Sequence, residues 1–191
     1  MIETTQELIC NLYKHCKVTT CHSFRVGNDL CGFGRYLGIE NQEFLFILGA
    51  LHDIGKLEIP QQLLNKKEKL TEHEYDEIMH HTVYGAQIVQ SIPQFPSELS
   101  DVILFHHENF DGSGYYGKKG KNIPLLSRII RIIDSYDTML YGRIYQNPKD
   151  QYQIIQEIKS LSDIHYDKDL ALSYTNFLET KACQLLLSLC I

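Results

Sequence analysis

Apolar residues recur along most of the chain at intervals of three and four, the spacing of one buried face of an α-helix. Runs that alternate like a strand are short, and no internal repeat or flexible linker interrupts the pattern. The pattern predicts an all-α helical bundle of about 7–8 helices. Eight helices are expected, at residues 3–16, 22–37, 42–54, 71–91, 97–108, 124–141, 150–161 and 167–189.

Several of these helices have recognisable ends. Asn41 is placed to cap the helix at 42–54, and Thr71 with Glu74 forms a capping box for the helix at 71–91. Pro124 suits the first position of its helix. The backbone N–H that proline lacks would have no hydrogen-bond partner within the helix at this position. The segment 110–122 is rich in Gly, Lys and Asp, so it is predicted to be an exposed loop.

Length and composition predict one globular domain that spans residues 1–191. The chain is 43% hydrophobic, enough for a full core, and its formal charge of −6 disfavours a nucleic acid polymer as partner. No apolar run is long enough to span a bilayer, and the N-terminus lacks the pattern of a secretion signal. The expectation is a soluble cytoplasmic protein, away from membranes, that binds a small anion through local positive charge.

The six cysteines form no C-x-x-C pair. In a cytoplasmic chain they are expected to be free and mostly buried thiols. A zinc knuckle built from His15, Cys16, Cys21 and His22 is an alternative, although its spacing matches no common structural zinc pattern.

Histidines and aspartates lie at the ends or on the inward faces of four predicted helices. His52 and Asp53 end the apolar helix at 42–54, and His106 and His107 end the helix at 97–108. His81 shares the apolar stripe of its helix, whereas its neighbour His80 lies on the polar face.

For each of these residues the alternative to a metal ligand is an ordinary structural role, either as a polar group in solvent or as a hydrogen-bonded residue of the core. Asp134 and Asp137 add two carboxylates to a largely apolar helical face, where an unpaired charge would be costly. The convergence of imidazoles and carboxylates in one small bundle therefore predicts a metal site. Such mixed nitrogen and oxygen donors favour Fe, Mn or Zn over Mg or Ca.

The same residues, in this order, resemble the HD-GYP family, the metal-dependent branch of the HD superfamily that degrades bacterial cyclic di-GMP. The resemblance covers about residues 20–147. The matching strings are HSFRV (22–26), HDIGKLEIP (52–60), HTVYG (81–85), HHENFDGSGY (106–115) and IPLLSRIIRIIDSYD (123–137).

The resemblance implies an HD-domain bundle holding two divalent transition metals, with Fe or Mn ahead of Zn or Ni. Asp53 takes the bridging position, Lys56 matches a catalytic lysine near the scissile phosphate, and Arg143 matches an arginine that binds substrate phosphate. The loop 111–116 corresponds to the GYP motif. The implied metal ligands are His22, His52, Asp53, His81, His106, His107 and Asp134.

Three positions depart from the family pattern. Val18 stands where members with three metals carry a glutamate, which favours two metals here. Tyr116 replaces the proline of the GYP motif, so the loop is expected to be less rigid. Gln146 stands where many active members have a basic residue, so one phosphate contact is missing.

The implied activity is hydrolysis of cyclic di-GMP to pGpG, GMP or both, by a hydroxide that bridges the two metals. Lys56 and Arg143 would stabilise negative charge that develops on the phosphate. The alternatives are another cyclic dinucleotide or nucleotide phosphate as substrate, and a non-catalytic domain that binds a nucleotide or partner. Regulation would come from the short helices at either end of the chain, from homodimer formation or from a separate regulatory protein.

Overall fold

The computed structural model describes residues 1–142 and 148–189, with side chains described as far as residue 182. Its described residues form helices, turns and one isolated bridge between Ser162 and Tyr166, without a strand, so the all-α prediction is confirmed. Two short 3-10 helices span Ile54–Glu58 and Gly120–Asn122. The α-helices are α1 (Ile2–His15), α2 (Lys17–Tyr36), α3 (Gln42–Leu51), α4 (Gln61–Leu64), α5 (Glu72–Met79), α6 (His81–Gln90), α7 (Glu98–Leu104), α8 (Leu125–Tyr141), α9 (Gln151–Ser160) and α10 (Lys168–Leu189).

Four predicted helices differ from the observed ones where candidate metal ligands lie. The helix predicted at 22–37 begins five residues earlier, at Lys17, which places His22 inside α2. The helix predicted at 42–54 ends at Leu51, and the one predicted at 97–108 ends at Leu104. The helix predicted at 71–91 is two helices, α5 and α6, which meet at His80. The helical spacing of apolar residues continues beyond these helix ends, because turns and 3-10 segments also bury one face. Spacing alone therefore does not mark where the helices end. The short helix α4 was not predicted.

The predicted caps are present, with one shift. Asn41 accepts a hydrogen bond from the Phe44 amide at 3.1 Å, and Thr71 and Glu74 form the reciprocal capping box. Pro124 is the N-cap residue of α8 rather than its first helical residue. These caps fix where α3, α5 and α8 begin, and therefore which side chains α3 and α8 bring to the interior.

Close backbone contacts draw the helices together around one point. A Cβ atom on Gly49 of α3 would lie 2.5 Å from the Cα atom of Gly27 in α2, so these two helices touch without intervening side chains. A Cβ atom on Gly55 would overlap the carbonyl oxygen of His81 in α6. The two glycine contacts therefore bring the end of α3 against both α2 and the start of α6.

The cysteines only partly follow the sequence-based expectation. Of the four whose side chains are described, all are free, but Cys16 alone is buried, while Cys10 and Cys21 are exposed and Cys31 is half-buried. Cys10 and Cys21 occupy the outward faces of α1 and α2, where helical spacing leaves them in solvent. Among the described residues, no group of possible metal ligands includes a cysteine, which argues against the zinc knuckle.

In the part of the chain that the structure describes, no helix combines the length and the hydrophobicity that a bilayer crossing requires.

Candidate metal centre

The structure brings together all seven predicted metal residues from five parts of the fold. His22 comes from α2, His81 is the first residue of α6, and Asp134 comes from α8. His52 with Asp53, and His106 with His107, lie in the turns that follow α3 and α7. Six of the seven are buried and His107 is half-buried.

The possible ligand atoms fall into two groups. One group contains Asp53, His81, His106 and His107, and the other contains His22, His52 and Asp134. Within each group the donor atoms lie within 4.8 Å of one another. Each group thus offers at least three imidazole or carboxylate donors, a set that transition metals such as Fe, Mn and Zn accept.

Asp53 lies between the two groups and presents one carboxylate oxygen to each. Its Oδ1 is 3.2 Å from His81 Nε2 and 4.0 Å from His106 Nε2. Its Oδ2 is 3.5 Å from His52 Nε2 and 3.9 Å from His22 Nε2. This is the arrangement that a carboxylate needs in order to bridge two ions.

Three histidines are oriented by the backbone of the turn that precedes them. The Nδ1 atom of each lies within hydrogen-bonding distance of the carbonyl oxygen three residues earlier. Since a carbonyl only accepts, Nδ1 carries the proton and the lone pair of Nε2 faces the centre. The pairs are His52 with Gly49 at 2.7 Å, His81 with Ile78 at 2.7 Å and His106 with Ile103 at 2.6 Å.

His22 is oriented by a carboxylate instead. Its Nδ1 lies 2.6 Å from Asp137 Oδ2, and Arg25 donates two hydrogen bonds to the same carboxylate at 2.7 and 2.8 Å. Its Nε2 lies 3.0 Å from Asp134 Oδ1. The sequence suggested that the Asp137 carboxylate needs a cation, and Arg25 is that cation. Asp137 therefore orients the ligand His22 rather than binding the metal itself.

Unsatisfied polar atoms show that a metal fits this centre. His52 Nε2 and Asp53 Oδ1 are buried and have no hydrogen-bond partner among the described residues. Leaving such groups unpaired costs about 1–3 kcal/mol each, and more for a charged group. Both atoms face the space between the imidazoles, so an ion bound there would satisfy them.

Burial and neighbouring charges set the protonation states of these groups. Burial, with the unfavourable proximity of the His52 and His81 imidazoles to a protonated ring, lowers the pKa of His106 to about 3. Burial also lowers the pKa values of His52 and His107. Burial would raise the pKa of Asp53, but Lys56 and His52 hold it well below its usual range. Neutral imidazoles and an ionised carboxylate are the forms that bind metals.

His22 is the exception, and it makes metal affinity depend on pH. Burial disfavours its charged form, but hydrogen bonds with Asp134 and Asp137 outweigh burial and raise the pKa to about 9. A metal must displace that proton, so affinity should rise about tenfold per pH unit from pH 6.5 and level off near pH 9. The dissociation constant of Mn(II), measured by chelator competition across this range, tests the prediction. An affinity that levels off near pH 7, as for ordinary histidines, would contradict it.

The loop after His107 packs directly behind the centre. A Cβ atom on Gly114 would lie 2.5 Å from the Cα atom of Glu108, so the loop backbone touches the ligand-bearing turn. The Tyr115 ring lies 4.8 Å from the imidazole of His107, centre to centre. The Tyr116 hydroxyl lies 2.5 Å from Oγ1 of Thr82, the neighbour of His81. Tyr116 therefore attaches the loop to α6 through a side-chain hydrogen bond.

A cleft of about 260 Å³ opens beside the centre and contains both cationic and apolar side chains. Lys56 and Arg25 line it, and Lys56 Nζ lies 2.6 Å from Asp53 Oδ2. Its other wall is apolar and includes Leu63, Leu64, Leu70 and Ile78. Arg143, the predicted phosphate-binding arginine, and Gln146 lie outside the described residues.

Sequence reasoning missed the role of Arg25, although a signal was present. Arg25 follows His22 by three residues, as Asp137 follows Asp134, so each pair shares a helical face. Two such pairs on facing helices would suggest an arginine that neutralises the second carboxylate.

The model of a family described as "HD domain" matches residues 7–170 of the chain. A protein of Thermotoga maritima named cyclic di-GMP phosphodiesterase is 38% identical over 122 residues, which are 63% of this chain and 33% of that protein. A Vibrio cholerae protein named 3'3'-cGAMP-specific phosphodiesterase 2 is 31% identical over 176 residues, 88% of this chain and 34% of that protein. The chain thus spans about one third of the length of these relatives.

Two solved structures share the fold. The HD domain of the phosphodiesterase PgpH from L. monocytogenes, solved in complex with cyclic di-AMP, superposes with a TM-score of 0.70 at 19% identity, covering 94% of this chain and 96% of that one. An HDG"Y"P protein from Bdellovibrio bacteriovorus gives a TM-score of 0.67 at 17% identity, covering 84% of this chain and 52% of that one.

Proposed function

The chain belongs to the HD domain family, in its HD-GYP branch, and from this we propose that it is a metal-dependent phosphodiesterase that hydrolyses cyclic di-GMP to pGpG, GMP or both. The position of Asp53 carries the proposal, since its two carboxylate oxygens face two separate groups of donors. The group of Asp53, His81, His106 and His107 would hold one ion. The group of His22, His52 and Asp134 would share Asp53 and hold the other.

We propose two divalent ions, with Fe or Mn ahead of Zn or Ni. Both groups combine imidazole nitrogens with a carboxylate, and these donors suit Fe and Mn as well as Zn. Bound there, the ions would supply Lewis acidity towards phosphate oxygens and lower the pKa of water.

The protein's own cations would position the substrate phosphate. Lys56 is half-buried at the border between the centre and the cleft, with its Nζ already 2.6 Å from Asp53. A phosphate at this border would accept a hydrogen bond from Lys56, and the same ammonium would then serve to protonate the leaving oxygen. Arg25 keeps Asp137 ionised, and Asp137 in turn holds His22 in the orientation that presents Nε2 to the centre.

A second substrate, 3'3'-cGAMP, is supported by the Vibrio cholerae relative whose match covers 88% of the chain.

We also propose the cytoplasm as the compartment of this activity. Cys10 and Cys21 are exposed free thiols, and such thiols persist in a reducing compartment.

The test is turnover by protein purified without oxygen and loaded with Fe(II) or Mn(II). Cyclic di-GMP, 3'3'-cGAMP and cyclic di-AMP are supplied separately, and products are identified by mass spectrometry. The proposal predicts pGpG or GMP from cyclic di-GMP, and loss of that product when the metals are chelated. Unchanged cyclic di-GMP in the presence of bound metals would refute the substrate assignment, and turnover that survives chelation would refute the metal requirement.

A further inference from the structure

A second cavity, of about 460 Å³, adjoins both the metal centre and the cleft. It reaches the centre at His107 and Asp134. It shares Tyr75, Tyr115 and Thr138 with the cleft, so these three residues separate the two spaces. Two adjacent spaces beside one centre suit a ligand with two similar halves that are joined by phosphodiester links.

The cavity is lined by polar side chains that the centre itself does not use. Arg131 of α8 lies beside Asn109, Ser113 and Ser135. Arg131 donates from Nε and Nη2 to Asn109 Oδ1 at 3.2 and 2.9 Å, and from Nη1 to Ser135 Oγ at 2.5 Å. The guanidinium is therefore held on two sides by the protein.

These contacts leave part of the guanidinium available. A guanidinium carries five N–H groups, and the three bonds above use one each on Nε, Nη1 and Nη2. Counting partners within residues 1–142 and 148–189, one N–H on each terminal nitrogen remains for a ligand. Such a pair matches two adjacent acceptors on a planar ligand.

We infer that this cavity is a nucleobase subsite in which Arg131 selects guanine. The inference rests on the proposed function, because it names the base that a cyclic dinucleotide would place there. Guanine presents O6 and N7 as adjacent acceptors, the pair that arginine contacts in bidentate fashion, whereas adenine presents a donor beside N7. The rings of Tyr75 and Tyr115, 6.3 Å apart in an edge-on arrangement, provide a wall for base stacking.

The cleft differs from this cavity in chemistry. Its arginine and lysine, Arg25 and Lys56, are paired with Asp137 and Asp53, and the leucine and isoleucine side chains form an apolar wall. The second base would therefore be held by contact rather than by a matched pair of donors. The chain should accept cyclic di-GMP and 3'3'-cGAMP, each with one guanine beside Arg131, and should bind cyclic di-AMP more weakly.

Substitution of Arg131 tests the inference in two independent ways. Arg131→Met should raise KM for cyclic di-GMP about tenfold, the loss expected for one bidentate contact, with KM for cyclic di-AMP unchanged.

In calorimetric titrations of the metal-loaded protein, wild type should bind GMP more tightly than AMP, and Arg131→Met should bind both equally. Arg131→Lys should not restore the preference, since an ammonium lacks the paired donors. Arg35→Met, at an exposed position of α2, is the matched control.

The outcomes separate this inference from the proposed function. Equal losses for cyclic di-GMP and cyclic di-AMP would make Arg131 a phosphate contact and overturn base selection. Equal binding of GMP and AMP by wild type would overturn it as well. If no cyclic dinucleotide is cleaved, the proposed function fails, while a preference for GMP that depends on Arg131 would still support the subsite.

Discussion

Asp53→Asn should remove the metals and the activity together. The substitution keeps the size of the side chain but deletes the charge that both donor groups share, and Asp53 is fully enclosed by them. Without an anionic bridge the centre loses several kcal/mol of metal binding and of charge stabilisation in the transition state. Turnover should therefore fall on the order of 10³-fold or more. Metal content by plasma mass spectrometry and initial rates of cyclic di-GMP hydrolysis measure the two effects.

The matched control for this variant is Asp101→Asn, an exposed aspartate of α7 that should leave both quantities at the wild-type level. Circular dichroism establishes that each variant is folded. A folded Asp53→Asn protein that keeps its full metal content and its rate would refute the bridging role.

Lys56→Met should separate metal binding from catalysis. The methionine retains most of the apolar stem but removes the ammonium that lies 2.6 Å from Asp53 Oδ2. Bound metals would keep Asp53 ionised in its absence, so metal content should stay at the wild-type level. The rate constant kcat for cyclic di-GMP should fall about 10²–10³-fold, the usual cost of losing one group that stabilises charge in the transition state.

Lys67→Met, an exposed lysine in the segment after α4, serves as the comparison and should not change kcat. If Lys56→Met lost its metals, the lysine would support the centre rather than the reaction. If both kcat and metal content were unchanged, Lys56 would have no part in either.

Local motifs allowed much of the centre to be predicted from sequence. His52, Asp53, His106 and His107 are adjacent pairs at helix ends, and His81 shares an apolar stripe, so each could be assigned to the interior from its own segment. The structure brings these residues together with His22 and Asp134, and the resemblance to the HD-GYP family is confirmed. Their roles as metal ligands remain predictions.

Other features depend on contacts that no single segment contains. The division of the ligands into two groups follows from where α2, α6 and α8 meet, which hydrophobic spacing does not encode. Arg131 and Asn109 are 22 positions apart and belong to different elements, so their pairing was not visible in the sequence. The predicted ends of α3 and α7 lie beyond the observed ends, because the apolar pattern continues into the turns that carry the ligands.

Anomalous X-ray scattering from crystals of the Mn(II)-loaded protein would test the central claim most directly. We predict two anomalous peaks on opposite sides of the Asp53 carboxylate. One should contact His81, His106 and His107, and the other His22, His52 and Asp134. A single peak, or peaks bound elsewhere with Asp53 still paired to Lys56, would contradict a two-metal centre bridged by this residue.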